Sequence, residues 1–240
     1  MKLLFTLLAL IPLAIFCQNT NPTKKVDISI GFTFSPDYCY RTLKADASSV
    51  SAKWIVDSRD TFEIPKFGYT TGLYVALRFN KRISLETGLL YSNKGEKTKR
   101  LSDLHAIEPD STLPIAISFI YGYIYIDIPI KFNYYVLVHK KAKLFVMAGI
   151  SPNIFLTQKT TSILEYKDGQ KNTSNSWHQQ DYAIIDLTII AGLGFSYDLT
   201  NKIYFSLEPT YRRSIIPIND GGIISYLYSI GLTTGLFYKL

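Results

Sequence analysis

Apolar and polar residues alternate one by one along most of the chain. Apolar side chains occupy every second position from Val26 to Phe34, with polar or small residues between them. A period of two is typical of a β-strand whose two faces meet different surroundings. The same alternation recurs seven more times, so the pattern predicts eight strands. They span residues 26–34, 67–79, 83–91, 119–138, 144–156, 182–197, 203–213 and 225–240.

The predicted strands are long, and the connections between them alternate in length. Most strands have nine residues or more, whereas an average strand of a soluble domain has about 5–6. A tilted strand needs about 9–11 residues to cross a bilayer. Short turns at one end and long loops at the other are typical of outer-membrane barrels. The short connections are residues 80–82, 139–143 and 200–202, and the long ones are residues 35–66, 93–118, 157–181 and 214–224.

These two observations predict an all-β fold, an eight-stranded antiparallel up-and-down transmembrane β-barrel. Eight strands are enough to close a barrel whose interior is filled by side chains. Closure also leaves no strand edge unpaired in lipid. An even strand number places both termini on one side, which we expect to be the periplasmic side of a Gram-negative cell outer membrane. The 18 Tyr and 14 Phe fit aromatic girdles at the two membrane interfaces.

The first residues of the chain have a different pattern. Lys2 precedes an almost wholly apolar segment, residues 3–16, which is typical of a secretory signal peptide. This segment is too short to span a membrane as a helix, which needs about 20 residues. We therefore expect a signal peptide at residues 1–17 and one barrel domain at residues 18–240. A retained signal anchor and acylation of Cys17 remain as alternatives.

Six charged residues lie inside predicted strands, on the faces opposite the apolar ones. If the apolar faces meet lipid, these side chains point into the lumen. Three are acidic and three are basic, and an unpaired charge in a narrow lumen is costly. The sequence therefore predicts a structural network of ion pairs, with a proton or substrate relay as the alternative. The six residues are Arg78, Glu86, Asp127, Lys131, Glu208 and Arg212.

The net charge of +7 and the pI of about 9.2 raise the question of an anionic partner. The export signal argues against nucleic acid. A basic run in the second long connection could instead contact lipopolysaccharide, as polybasic segments do at anionic membrane surfaces, or serve only as a solubilising loop. Its basic residues are Lys94, Lys97, Lys99 and Arg100. The polar connection at residues 157–181 is expected to order only on a partner.

Several strand motifs resemble one known family. They include residues 88–95, residues 125–132 with the element Ile-Asp-Ile-Pro, and the glycine-containing segments 148–152 and 191–194. These segments are similar to the PorT-like outer-membrane β-barrel family of Bacteroidetes-type bacteria. The resemblance implies an eight-stranded barrel in the outer membrane, and one class of its members serves protein secretion. The chain departs from the family at its end, where Leu240 stands in place of a terminal aromatic residue.

The sequence offers little chemistry. None of the three His has a His or Cys at metal-ligand spacing, so neither a metal nor a cofactor is expected. The main hypothesis is a non-enzymatic barrel with a structural or interaction role in the envelope, including the role of a PorT-like secretion accessory. Its partners would be outer-membrane lipid, lipopolysaccharide and an envelope or secretion-system protein. One alternative is an outer-membrane lipid-modifying enzyme, for which His105 beside Ser102 and Asp103 is the only local candidate. The other is a secreted soluble eight-stranded barrel that binds a small apolar ligand.

Overall fold

A computed structural model of the chain describes residues 26–45, 50–102, 113–179, 182–219 and 222–240. The predicted signal peptide, Cys17 and His105 lie outside these residues. The described parts contain one helix, α1 (Val50–Phe62), and a single sheet. Its strands are β1 (Asp27–Ala45), β2 (Glu63–Arg78), β3 (Ile83–Thr98), β4 (Leu101–Ser102), β5 (Ala116–Asp127), β6 (Ile130–His139), β7 (Ala142–Glu165), β8 (Lys171–His178), β9 (Ile185–Asp198), β10 (Ile203–Ser214) and β11 (Ile223–Lys239).

The sheet closes on itself as an antiparallel barrel. β1 pairs with β2 on one side and with β11 on the other, so that Phe32 lies opposite both Leu73 and Leu236. Around the ring the order is β1, β2, β3, then β5 with β6, then β7, β9, β10 and β11. This ring has eight positions and confirms the predicted eight-stranded barrel. Closure satisfies the backbone hydrogen bonds that an open edge would leave unpaired in lipid.

The fourth position of the ring is occupied by two strands. The prediction of one strand over residues 119–138 is wrong, because Ile128 and Pro129 interrupt it between β5 and β6. Proline has no N–H to donate to a neighbouring strand, so it breaks the ladder at this point. The amide of Ile128 donates instead to the carbonyl of Pro152 at 2.9 Å. Both strands pair with β3 and β7, which keeps the ring continuous.

The two ends of the barrel differ. The turn end carries the short connections at residues 79–82, 140–141 and 199–202. At the loop end β1 continues to Ala45 and is followed by α1, while β7 continues to Glu165 and forms a hairpin with β8. The described parts of residues 35–66 and 157–181 are therefore not the loops that we predicted, and in the second range residues 157–178 form a hairpin within the chain itself. Their strands were missed because both faces are largely polar, so the apolar period of two disappears.

The outer surface is an apolar band bordered by aromatic side chains. Within the band, Leu73, Leu89 and Leu193 are 60–65% exposed, as lipid-facing residues should be. On β3 the band ends at Tyr91, since the next outward positions hold Asn93, Gly95 and Lys97, none of which has an apolar side chain. We take the membrane-spanning segments as the parts of the strands within this band. The border residues include Tyr134, Tyr197 and Tyr238 at the turn end, and Tyr69, Tyr91 and Tyr211 at the loop end.

One tyrosine near the end of β6 does not belong to this border. Tyr135 points inward, is 3% exposed and packs against Phe145 with their ring centroids 5.1 Å apart. The strand bends here, because the pairing of β6 with β7 shifts register between Tyr135 and Leu137. Within the described part of the chain, no helix combines the length and apolarity needed to cross a membrane.

Candidate functional site

A buried lysine joins two carboxylates near the middle of the lumen. Lys131 on β6 places its Nζ 2.9 Å from Glu86 Oε2 on β3 and 2.7 Å from Glu208 Oε2 on β10. All three side chains are at most 4% exposed. Asn133 donates to Glu86 at 2.7 Å, and the Lys131 ammonium lies 4.5 Å from the centre of the Tyr74 ring. The group ties three strands, β3, β6 and β10, together across the barrel.

A second ion pair joins β10 to β1 inside the lumen. Arg212 donates to Asp37 at 2.8 Å and to Thr233 at 2.9 Å. Asp37 also accepts hydrogen bonds from Ser35 at 2.7 Å and Thr70 at 2.5 Å. With three hydrogen bonds, one of them from a guanidinium, this fully buried carboxylate is well compensated. Asp37 was not a predicted lumen residue because it fell in a segment predicted to be a loop.

The other predicted lumen residues have different partners from those expected. Asp127 pairs with Lys94 at 3.1 Å, and Lys94 is only 5% exposed. Lys94 therefore lies inside the barrel, and its prediction as a lipopolysaccharide contact is wrong. Inward and outward positions alternate along β3, and Lys94 occupies an inward position. Arg78 stands apart from the other predicted charges, at the turn end, with its guanidinium 4.4 Å from the centre of the Tyr135 ring.

A further polar cluster in the lumen was missed. Asp186 accepts hydrogen bonds from Asn153 at 3.0 Å, Thr188 at 3.2 Å and Ser214 at 2.7 Å. Asp186 lies inside a predicted strand at an inward position, so the rule that selected the other lumen charges applies to it as well. The cluster joins β7, β9 and β10.

Aromatic and aliphatic layers fill the lumen on both sides of these polar groups. Towards the turn end, Tyr204 and Phe237 stack with centroids 4.8 Å apart. Towards the loop end, Tyr125 packs edge-on against Phe155 at 5.4 Å, and Leu227 is buried beside them. A filled interior is what an eight-stranded barrel of this size allows. The middle of the lumen is therefore a packed core.

Salt bridges attach α1 to the loop end of the barrel. Arg41 on β1, 2% exposed, forms ion pairs with Asp60 on α1 and with Glu63, where Nη2 lies 2.6 Å from Oε2. Arg59 on α1 donates to the other Glu63 oxygen at 2.6 Å. Lys99 donates to the carbonyl of Thr61 at 2.7 Å, near the helix C-terminus, where a cation is favourable. These contacts hold the helix over the open end of the barrel.

A cavity of about 370 Å³ lies beneath α1, above the membrane-spanning band. One of its lining groups is the carboxylate of Glu96, which is 1% exposed and accepts one hydrogen bond from the Tyr123 hydroxyl at 3.2 Å. Its second oxygen has no hydrogen-bond partner among the described residues. Burial raises the pKa of Glu96 to about 7, and the neighbouring Glu63 carboxylate acts in the same direction. The remaining lining residues include Arg59, Tyr121, Gln158, Tyr182 and Asn219.

This arrangement offers a binding site and no evident catalytic set. Aromatic rings and planar polar groups around one cavity are typical of a ligand pocket. Across the described residues, no group of three or more His, Cys, Asp or Glu side chains could hold a metal ion. Of the candidate set around His105, Ser102 ends β4 and is exposed, whereas Asp103 and His105 fall outside the described residues.

A profile for an outer membrane protein beta-barrel domain matches residues 16–220. The chain belongs to this family. It is an outer-membrane β-barrel protein, and its apolar band is the surface that meets the membrane lipid. A search of curated proteins finds no match.

Solved structures with a similar fold have little sequence in common with the chain. Neisserial surface protein A is 11% identical, with 89% of this chain and 97% of that chain covered at a TM-score of 0.46. Outer membrane protein AlkL, determined in lipid bilayers, is 12% identical, with 94% and 95% covered at 0.41. Outer membrane protein OprG from Pseudomonas aeruginosa is 12% identical, with 91% and 97% covered at 0.39.

The three remaining residues of the predicted lipopolysaccharide contact lie at the loop end of this outer-membrane barrel. Lys97 is partly exposed at an outward position of β3, and Lys99 and Arg100 are exposed. Two of them have partners within the chain: Lys99 bonds to α1, and Arg100 pairs with Glu165 at 2.7 Å. Among the described residues Lys97 has no such partner, so its ammonium is the one of the three that is left to pair with an external anion.

Proposed function

We propose that the protein is a non-enzymatic outer-membrane barrel that binds a partner at its loop end and does not conduct solutes through its lumen. The observation that carries this proposal is the contrast between the two regions. The lumen is filled by buried ion pairs and aromatic layers, whereas the loop end carries a helix, a pocket and an extended hairpin. Barrels that conduct have a water-filled interior, and an elaborate loop end is the part free to contact other molecules.

The proposed orientation places the loop end outside the cell and both termini in the periplasm. Short turns on the periplasmic side are the rule for outer-membrane barrels. In this orientation the exposed face of α1, with Trp54 73% exposed, is presented to the exterior. Lys97, above the band on β3, would meet the anionic groups of lipopolysaccharide, which matches the predicted partner class.

The resemblance to PorT-like barrels supports a more specific role, as an accessory of protein secretion. Under this proposal, the partner bound at the loop end is a component or a client of the secretion system. Deleting the gene in its native bacterium should reduce the set of secreted proteins. Wild-type protein should restore it, and a variant lacking residues 50–62 should not, although it still reaches the outer membrane. Unchanged secretion after deletion would refute the secretion role.

Conduction is tested separately with the refolded full chain in planar lipid bilayers. We expect no discrete conductance steps in 1 M KCl. A variant with Lys131, Glu86 and Glu208 all replaced by Ala should show steps, because it empties the middle of the lumen. Stable steps from the wild-type protein would contradict the proposal of a sealed barrel.

A further inference from the structure

The turn end holds a second cleft that the proposed function does not use. It has a volume of about 650 Å³ and lies between the turn at residues 79–82 and the end of β6, with the turn at residues 140–141 and the start of β7. The two walls are tied together by the amide of Tyr135, which donates to the carbonyl of Arg82 at 2.8 Å. The register shift of β6 next to Tyr135 turns Val136 and Leu137 outward together. The cleft is thus built into the barrel wall at its rim.

Positive charge dominates the lining of this cleft. Its only acidic lining residue is Asp27, and its basic ones are Arg78, Lys81, Arg82, Lys140 and Lys143. The arginines have neutral aromatic partners: Arg82 donates to the Tyr134 hydroxyl at 3.2 Å, and Arg78 lies over the Tyr135 ring. Among the described residues, neither guanidinium has a carboxylate within 4.0 Å. Lys143 is compensated by Asp198 at 2.8 Å. The cleft therefore carries an uncompensated positive charge.

The outer wall of the same cleft is apolar and faces the membrane. Phe79, Val136 and Val138 line it and are 41%, 60% and 45% exposed. They continue the apolar band beyond Tyr134, so the cleft opens onto both the lipid and the water at the turn end. A ligand that satisfies both walls needs an anionic head and an apolar tail. Guanidinium groups match phosphate oxygens in pairs, and a basic pocket at a membrane surface favours anionic headgroups.

We propose that this cleft binds one anionic phospholipid, with its phosphate among Arg78, Arg82 and Lys140 and an acyl chain along Phe79 and Val136. In the orientation given above, the lipid belongs to the inner leaflet of the outer membrane. The site is at the opposite end of the barrel from the loop-end pocket, so it stands whether or not that pocket binds a partner.

The test is native mass spectrometry of the refolded full chain in detergent with phosphatidylglycerol or phosphatidylcholine of the same acyl length. The wild-type protein should retain one phosphatidylglycerol at concentrations where phosphatidylcholine is not retained. Because a Lys or Arg near an anionic surface contributes about 1 kcal/mol, the double variant Arg82→Gln and Lys140→Gln should bind phosphatidylglycerol roughly 30-fold more weakly. Both residues are exposed, so the variant should fold, which its heat-modifiable gel mobility verifies.

The matched control removes two exposed lysines from the loop end, Lys167→Gln with Lys171→Gln, and should bind phosphatidylglycerol like the wild type. Equal retention of the two lipids, or an equal loss in the control, would overturn the proposal. Inorganic phosphate separates a lipid site from a simple anion site. Full displacement of the lipid by phosphate at equal concentration would show that the acyl chain contributes nothing, and would overturn the lipid assignment. Persistence of the lipid supports it.

Discussion

Replacing Lys131 with Met is the sharpest test of how the lumen is stabilised. The substitution keeps a long side chain and removes the ammonium that lies 2.7 Å from Glu208 and 2.9 Å from Glu86. With an effective dielectric constant of about 20, each contact is worth about 6 kcal/mol of attraction, which offsets the cost of burying the charges. Removing one partner of a buried pair typically costs about 3–5 kcal/mol. We expect the free energy of unfolding to fall by about 3–5 kcal/mol.

The measurement is a urea titration of the protein folded in lipid vesicles, with the folded fraction read from heat-modifiable gel mobility. The decisive companion is the triple variant Lys131→Met, Glu86→Gln and Glu208→Gln, which has the same Met and no charge left in this cluster. It should recover most of the loss, because both carboxylates have become neutral amides. As a surface control, Lys171→Met should stay within about 0.5 kcal/mol of the wild type. A single variant within 1 kcal/mol of the wild type, or a triple variant no more stable than the single one, would refute the charge argument.

Two further predictions concern the packing around Asp37 and the pocket at the loop end. Gly231→Ala should destabilise the barrel by about 1–3 kcal/mol in the same titration, because its Cβ would overlap the carboxylate of Asp37. The control Gly222→Ala has open space around the new methyl group and should leave the free energy of unfolding unchanged. An equal loss of stability in the two variants would argue against this packing. Glu96, whose folded pKa is about 7 against an ordinary 4.5, stays protonated in the folded state when the unfolded chain has already lost the proton. The free energy of unfolding should therefore fall by about 1.4 kcal/mol per pH unit as pH rises from about 5 to 7. Glu96→Gln should remove this pH dependence, whereas the control Glu165→Gln should keep it. An unchanged pH dependence in Glu96→Gln would count against the burial of this carboxylate.

The sequence alone was enough to predict the barrel and much of what faces its lumen. Glu86, Lys131 and Glu208 were selected because charged residues alternated with apolar ones inside long strands. The structure brings these three together, and the same parity argument covers Asp186, which we had not selected. Lys94 was missed because the predicted third strand was too short. It occupies an inward position of β3, but the strand was predicted to end at Tyr91, so Lys94 was assigned to a loop.

The loop end was beyond sequence reasoning for a physical reason. Within the membrane band, lipid requires an apolar side chain at nearly every second position, so strands there have a readable period. Above the band both faces of β7 and β8 meet water, so no apolar period is imposed on the sequence. The pairing of the two strands, from Gln158 opposite His178 to Glu165 opposite Lys171, is decided by backbone hydrogen bonds. The placement of α1 depends on Arg41 and Glu63, which are 22 residues apart.

The sequence by itself determined the number of ring positions, the lipid-facing surface and the sign of the charges that enter the lumen, because these follow from local alternation against lipid. Only the tertiary structure decided which charges meet. Asp37 and Arg212 are 175 residues apart, and Lys131 and Glu208 are 77 apart. Such pairs depend on how far each strand is displaced along its neighbour when the barrel closes. The sequence of a single strand does not specify that displacement.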